Sequence, residues 1–232
     1  SAQPGGRART VLYVVAALGF LGIALAFWLS SRGSAAVDPA AATQARTTLE
    51  AAGCTLALAP APANASDHSD VTSPEAVSAD WTSDPPTAGP HFGETDVYGA
   101  YTEPLQQARV VHNLEHGAVY VQYGPDVPEA TVGELRAFYE RNQNGTLLAP
   151  YAPLGERIAL GAWIAEGGKR GQGVLATCTG FDDDALQAFL TAYQFKGPER
   201  FSPAAMSPGL RGLHWAIAKA PFFAIENAPP PP

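Results

Sequence analysis

The chain has little sulfur. Of 232 residues only two are cysteine, Cys54 and Cys178, and one is methionine, Met206. A soft Cu(I) site built from thiolates and thioethers has almost nothing to draw on. Basic charge is also scarce: 14 Lys and Arg stand against 22 Asp and Glu, a net of −8. Three of the basic residues, Arg7, Arg9 and Arg32, lie in the first 32 residues, where no acid occurs; the remainder carries 11 basic and 22 acidic residues, a net of −11. Such a surface repels a phosphate backbone, which argues against nucleic acid as a partner. It attracts cations, but weakly and without specificity. There is no internal repeat. What is present is apolar material, 46% of the chain, and about 200 residues beyond the N-terminal segment, enough for one domain with a real core.

Val11 to Leu29, "VLYVVAALGFLGIALAFWL", is a run of 19 residues without a charge. At about 1.5 Å per residue such a helix spans close to the ~30 Å hydrocarbon layer. Trp28 suits the interfacial aromatic belt, and Arg7 and Arg9 precede the run. The positive-inside rule then keeps residues 1–10 in the cytoplasm, makes 11–31 a signal anchor, and puts the remainder outside a plasma membrane. The bilayer is thus one expected partner. A cleaved signal peptide is the alternative, since "GSAAVDPAAA" offers small residues to a peptidase, although signal h-regions usually run ~7–15 residues.

An extracytoplasmic compartment permits Cys54 and Cys178 to pair. Two buried thiols, or one thiol serving as a metal ligand, are the rival readings. The Ala-rich, Lys-poor composition points to a bacterial source, where the glycosylation-type triplets "NAS" (64–66) and "NGT" (144–146) carry little weight.

Residues 32–50 read as a linker leading into a short helix, stopped by Gly53, with a first strand in "CTLALA". Pro60 to Tyr101 is rich in Pro, Ser, Asp and Gly and has little periodicity; a long loop of this kind in a compact domain is usually functional or disordered. "AVYVQY" (118–123) is a strand candidate. "PEATVGELRAFYERNQ" is an amphipathic helix with Val132, Leu135, Phe138 and Tyr139 on one face. "GERIALGAWIA" and "GVLATC" are two further strands. "DDDALQAFLTAYQF" is a second helix, with acids at its N-terminus and Gly197-Pro198 beyond its end. Helices and strands do not alternate regularly. The expected fold is therefore α+β: one N-terminal transmembrane helix, then a compact domain over 51–220 with a small, mainly antiparallel sheet, two or three helices and a long Pro-rich loop. Residues 221–232 form a Pro-rich tail.

The chemistry-bearing residues are the histidines. His68, His91, His112 and His116 fall within 49 residues, while the other 183 hold only His214. In "HNLEH" a helical turn would put His112 and His116 on one face, about 5–6 Å apart at Cβ, close enough for two imidazoles to share an ion. Gly117 follows, as a left-handed cap requires, and a strand begins at once. An extended backbone would separate the rings too far, so the metal reading needs the turn. Zinc typically takes three or four protein ligands, so His91 in "PPTAGPH" and His68 in "ASDHSD" complete the candidate set. Pro85, Pro86 and Pro90 stiffen the approach to His91. The bland alternative is that each histidine satisfies a local hydrogen bond. "HNLEH" also fits the H-x-x-E-H pattern of inverzincin proteases, but those place it within a long helix, whereas a glycine and a strand follow here. Glu115 is the candidate catalytic acid/base, or a residue that ligates or orients a histidine.

"PPTAGPH" (85–91) followed by "VVHNLEHGAVYVQY" (110–123) resembles the domain of unknown function 3105 family, found mainly in bacterial membrane-anchored proteins. That family typically shows PPTSGPH and then HNLEHG before a hydrophobic strand. The resemblance runs from about Gly53 to Gly209. It takes in Cys54, His68, Ala162-Trp163, Cys178 and "GPER" (197–200), and departs at Ala88, where the family usually has serine. It implies a single anchored outer domain and supplies no activity.

Three functions fit these residues. The first is an extracytoplasmic domain binding Zn or Cu through His68, His91, His112 and His116. Because neutral imidazole is the ligand, affinity should fall below about pH 6. The second is a metal-dependent enzyme, hydrolytic or redox, using the same cluster with Glu115 as acid/base. The third is an interaction module whose histidines are structural.

Overall fold

The computed structural model describes residues 36–69, 78–167, 170–199 and 201–210. The candidate membrane span Val11–Leu29, His214 and the Pro-rich tail lie outside these residues. Among the described residues no helix is long and apolar enough to cross a membrane.

Helix α1 (Pro39–Ala51) starts where the Asp38 side chain accepts the Ala40 N–H and Pro39 supplies a preset φ at the first helical position. This helix is part of the domain, for Ala45 and Leu49 are fully buried in its core. Strands β1 (Thr55–Pro60), β2 (His68–Ser69), β3 (His91–Phe92) and β4 (Gly99–Ala100) follow. Then come α2 (Gln107–Glu115), β5 (Val119–Tyr123), α3 (Glu129–Arg141), β6 (Thr146–Pro150), β7 (Ile158–Ile164), β8 (Gln172–Cys178) and α4 (Asp183–Tyr193). Asp182 caps α4 by accepting the Ala185 N–H, and Asp183 and Asp184 complement the helix dipole.

Six strands form one sheet in the order β1-β8-β7-β5-β6-β4. The pairs β1/β8, β8/β7 and β7/β5 are antiparallel, while β5/β6 and β6/β4 are parallel. The α+β class holds, but the sheet is mixed and larger than expected. The reason is β6. "TLLAP" is buried on nearly its whole length and shows no alternation, so no period-2 signal marks it as a strand. Parallel neighbours need a crossover, and α3 provides it between β5 and β6. Four α-helices are described rather than two or three, because the turn at "HNLEH" is the end of a nine-residue helix.

Both faces of the sheet are covered. Val119, Val121, Leu148, Ile158, Leu160, Ala162, Val174 and Ala176 point to one core, shared with Leu49, Leu135, Phe138, Leu186 and Phe189 from α1, α3 and α4. The alternate residues Tyr120, Leu147, Ala149, Ala159 and Trp163 point to a second core with Val110, Val111 and Leu114 of α2. The Pro-rich loop closes this second face. Pro85 to His91 are all buried, and Thr87 sits where a side chain at Gly173 of β8 would have to go. Ala88 is fully buried here as well. Cys54 and Cys178 form a disulfide just beyond the β1/β8 ladder, across 124 residues of sequence. Neither cysteine is therefore left as a thiol ligand.

Candidate metal centre

Helix α2 ends in a Schellman motif. Gly117 has φ +98°, its N–H donates to the Leu114 carbonyl, and the Ala118 N–H donates to the Asn113 carbonyl. The turn required for a shared ion is therefore present, and the His112 and His116 ring centroids are 4.5 Å apart. Asn113, which the sequence did not single out, stitches the helix to the segment after β3. Its Oδ1 accepts the Asp96 N–H and its Nδ2 donates to the Asp96 carbonyl, both at 2.9 Å.

The loop histidines arrive by strand pairing. β2 and β3 run parallel with His68 beside His91 in register, and their ring centroids are 4.9 Å apart. His112 comes from α2 to meet both, at 4.7 Å from His68 and 4.8 Å from His91. Glu115, one helical turn on, completes the group. His68, His91, His112 and Glu115 each offer a ligand atom, all within 4.8 Å of one another. In a tetrahedral zinc site with bonds near 2.0–2.1 Å the ligand atoms stand roughly 3.3 Å apart. Two contacts lie just below that scale: Glu115 Oε2 is 3.0 Å from His91 Nε2 and 3.2 Å from His68 Nε2.

Hydrogen bonding fixes which nitrogens face the centre. A carbonyl only accepts, so His91 Nδ1–H donates to Gly89 O at 2.8 Å and His112 Nδ1–H donates to Phe92 O at 2.9 Å. In each neutral ring Nε2 then carries the lone pair. These are the backbone contacts that orient ligating histidines in metalloproteins. They also create a conflict at His91. Its buried Nε2 makes no hydrogen bond of good geometry and yet faces a carboxylate 3.0 Å away. A lone pair aimed at an anion in a dry site is unfavourable unless a cation, a proton or a metal ion, lies between them.

The electrostatics favour the ligating forms. Burial, and then the charges of His116, His91 and His68, push the His112 imidazole down to about 3. For Glu115 burial acts upward, but a proton on the facing His91 ring, which both bonds and charges it, with further bonds from Ser66 and His68, outweighs burial and brings the carboxyl down to about 2; a metal ion in the proton's place acts in the same sense. At neutral pH His112 is uncharged and Glu115 is an anion, each ready to donate electrons to an ion. Three of the four groups are buried, while the His68 side chain is 42% exposed and forms the solvent side of the cluster.

His116 is not part of this group. It lies on the other side of His112 and pairs with Glu199, Nε2 to Oε2 at 3.2 Å. His112, His116 and Glu199 make a second set of ligand atoms within 4.8 Å of one another. Of the four imidazoles expected around one point, three come together, and Glu115 rather than His116 is the fourth group beside them. The reason is helical geometry, since residues three and four apart from His112 diverge to either side of its ring. Glu199, in "GPER", is a site residue that the sequence does not single out. Nothing in its spacing marks it, because the segment is brought in by tertiary contacts: Phe195 N–H donates to Gly117 O and Glu199 N–H to Glu115 O.

The profile of the family described as "Protein of unknown function (DUF3105)" matches residues 73–205, more than half of the chain. The chain belongs to the DUF3105 family. The matched span contains His91, His112, Glu115, His116 and Glu199, while His68 and Cys54 lie before it. No curated protein and no solved structure matches this DUF3105 chain.

Proposed function

We propose that the domain binds one divalent transition-metal ion, Zn(II) or Cu(II), through His68, His91, His112 and Glu115. The observation that carries this reading is the buried His91 Nε2 facing Glu115 Oε2 at 3.0 Å, with two further imidazoles converging on the same place. Three imidazoles and one carboxylate suit ions of borderline softness. Four protein ligands fill a tetrahedral sphere, which favours holding or transferring an ion over catalysis at an open position. Glu115 is also ill suited to acid/base work near neutrality, since a useful general base titrates near the working pH and this carboxyl is pulled down to about 2. We further propose that the domain lies outside a plasma membrane, held by Val11–Leu29. The Cys54–Cys178 bridge supports an oxidising compartment.

Equilibrium dialysis of the purified chain against zinc, followed by elemental analysis, tests the metal reading. One equivalent is expected in the wild type. A folded His112→Ala variant is expected to lose at least about tenfold in affinity, the scale seen when groups supporting a metal are removed. A chain that retains no zinc or copper after dialysis contradicts the reading.

A further inference from the structure

The second group, His112 with His116 and Glu199, shares a ligand with the first. Sharing is the informative feature. His112 Nδ1–H is committed to the Phe92 carbonyl at 2.9 Å, so the ring has one lone pair to give, at Nε2. One imidazole lone pair serves one ion. Two ions held at once would leave one of them without His112, reduced to His116 and Glu199 alone.

The outer pair is built rather than incidental. The Glu199 backbone is hydrogen-bonded to Glu115 O at 2.9 Å, which ties it to the end of α2. Gly197 packs so closely on Glu115 O and the Gly117 backbone that a Cβ there would collide with both. Phe201 stacks on the His116 ring at 3.9 Å. His116 is buried, and so is Glu199 Oε2, the atom that faces it; the rest of the Glu199 side chain, 30% exposed overall, is what meets solvent on this side.

Resting on the metal reading above, we infer that His116 and Glu199 form a second coordination position for the same ion, which competes with His68, His91 and Glu115 for His112. The domain then carries a single divalent ion that shifts between an inner position and an outer one, with His112 bound throughout. The outer position is a route by which the ion is delivered or withdrawn without first dissociating into water. Each shift is a ligand exchange: bonds to His68, His91 and Glu115 are replaced by bonds to His116, Glu199 and one solvent water, with no change in oxidation state.

The test uses the full chain loaded with Zn(II) and a chromophoric chelator in excess. Stoichiometry is measured by dialysis and the rate of transfer to the chelator by stopped flow. The wild type is expected to hold one equivalent. Glu199→Gln and His116→Asn are each expected to keep that equivalent with little change in affinity, and to release it about tenfold more slowly or worse, the size of effect that loss of one metal-supporting group produces. Circular dichroism and the thermal midpoint of both variants establish that they are folded; two substitutions of different shape guard against a local packing defect in one. Release rates within twofold of wild type in both variants overturn the proposal and leave the inner site intact. Two equivalents in the wild type, falling to one in Glu199→Gln, also overturn it, since that is an independent second site. A chain that holds no zinc removes the metal reading itself, and this inference with it.

Discussion

His112 takes its ring into a place where a positive charge is unwelcome. Burial disfavours the charged form most, and His116, His91 and His68 add to this, so the ring titrates at about 3 against an ordinary 6.5. Protons are therefore taken up by the unfolded chain before the folded one as pH falls, and linkage makes this a loss of stability. The contribution is fully present above pH 6.5 and is lost progressively between 6.5 and 3. Glu115 adds a loss of the same sign between 4.5 and 2. Metal-free protein is thus expected to lose stability steadily as pH drops from 6.5. Urea midpoints measured across pH 7 to 4 check this, and a His112→Gln variant should show a shallower decline over the upper part of that range. Equal slopes would mean that the His112 ring is not held neutral by its surroundings.

The elements that matter most to the site are the corner at the end of α2 and the segment that packs on it. Gly117 needs its positive φ, and Gly197 needs its missing side chain, because a Cβ would run into backbone atoms of Glu115 and Gly117. Backbone cannot step aside as a flexible side chain can. Gly197→Ala is expected to cost about 1–3 kcal/mol, the usual scale of overpacking, measured as a drop in unfolding free energy. It should also displace Glu199 from His116, leaving the inner group in place. At this scale the sequence was partly readable. The cap at Gly117, the strand behind it and the helices over Glu129–Arg141 and Asp183–Tyr193 were all marked by local chemistry. β6 was not, because a strand buried on both faces loses its alternation. The convergence of His68 and His91 was legible as a cluster in sequence. That Glu115 would turn inward while His116 turned toward Glu199 was not, because it depends on the helix's rotation about its own axis and on a segment more than 80 residues away.

For the molecule as a whole, one covalent bond joins regions far apart in the chain. The Cys54–Cys178 bridge ties the edge strand β1, and the helix α1 before it, to β8 across 124 residues. In the chain-entropy model a loop of this size is worth about 5 kcal/mol. Reduction, or a paired Cys54→Ala and Cys178→Ala change, is expected to lower the unfolding free energy by that order, read from denaturant titration with and without reductant. The bridge lies in the core on the α1, α3 and α4 face of the sheet, whereas the histidine cluster lies on the α2 face. Reduced protein that remains folded should accordingly keep its zinc.

We propose above all that a metal ion sits among His68, His91, His112 and Glu115. The most direct measurement is anomalous scattering from crystals of the zinc-loaded chain, collected on either side of the zinc absorption edge. One peak is expected between His91 Nε2 and Glu115 Oε2, within bonding distance of His112 and His68. Crystals showing these four side chains bonded only to one another or to water, with no anomalous peak among them, would contradict the account.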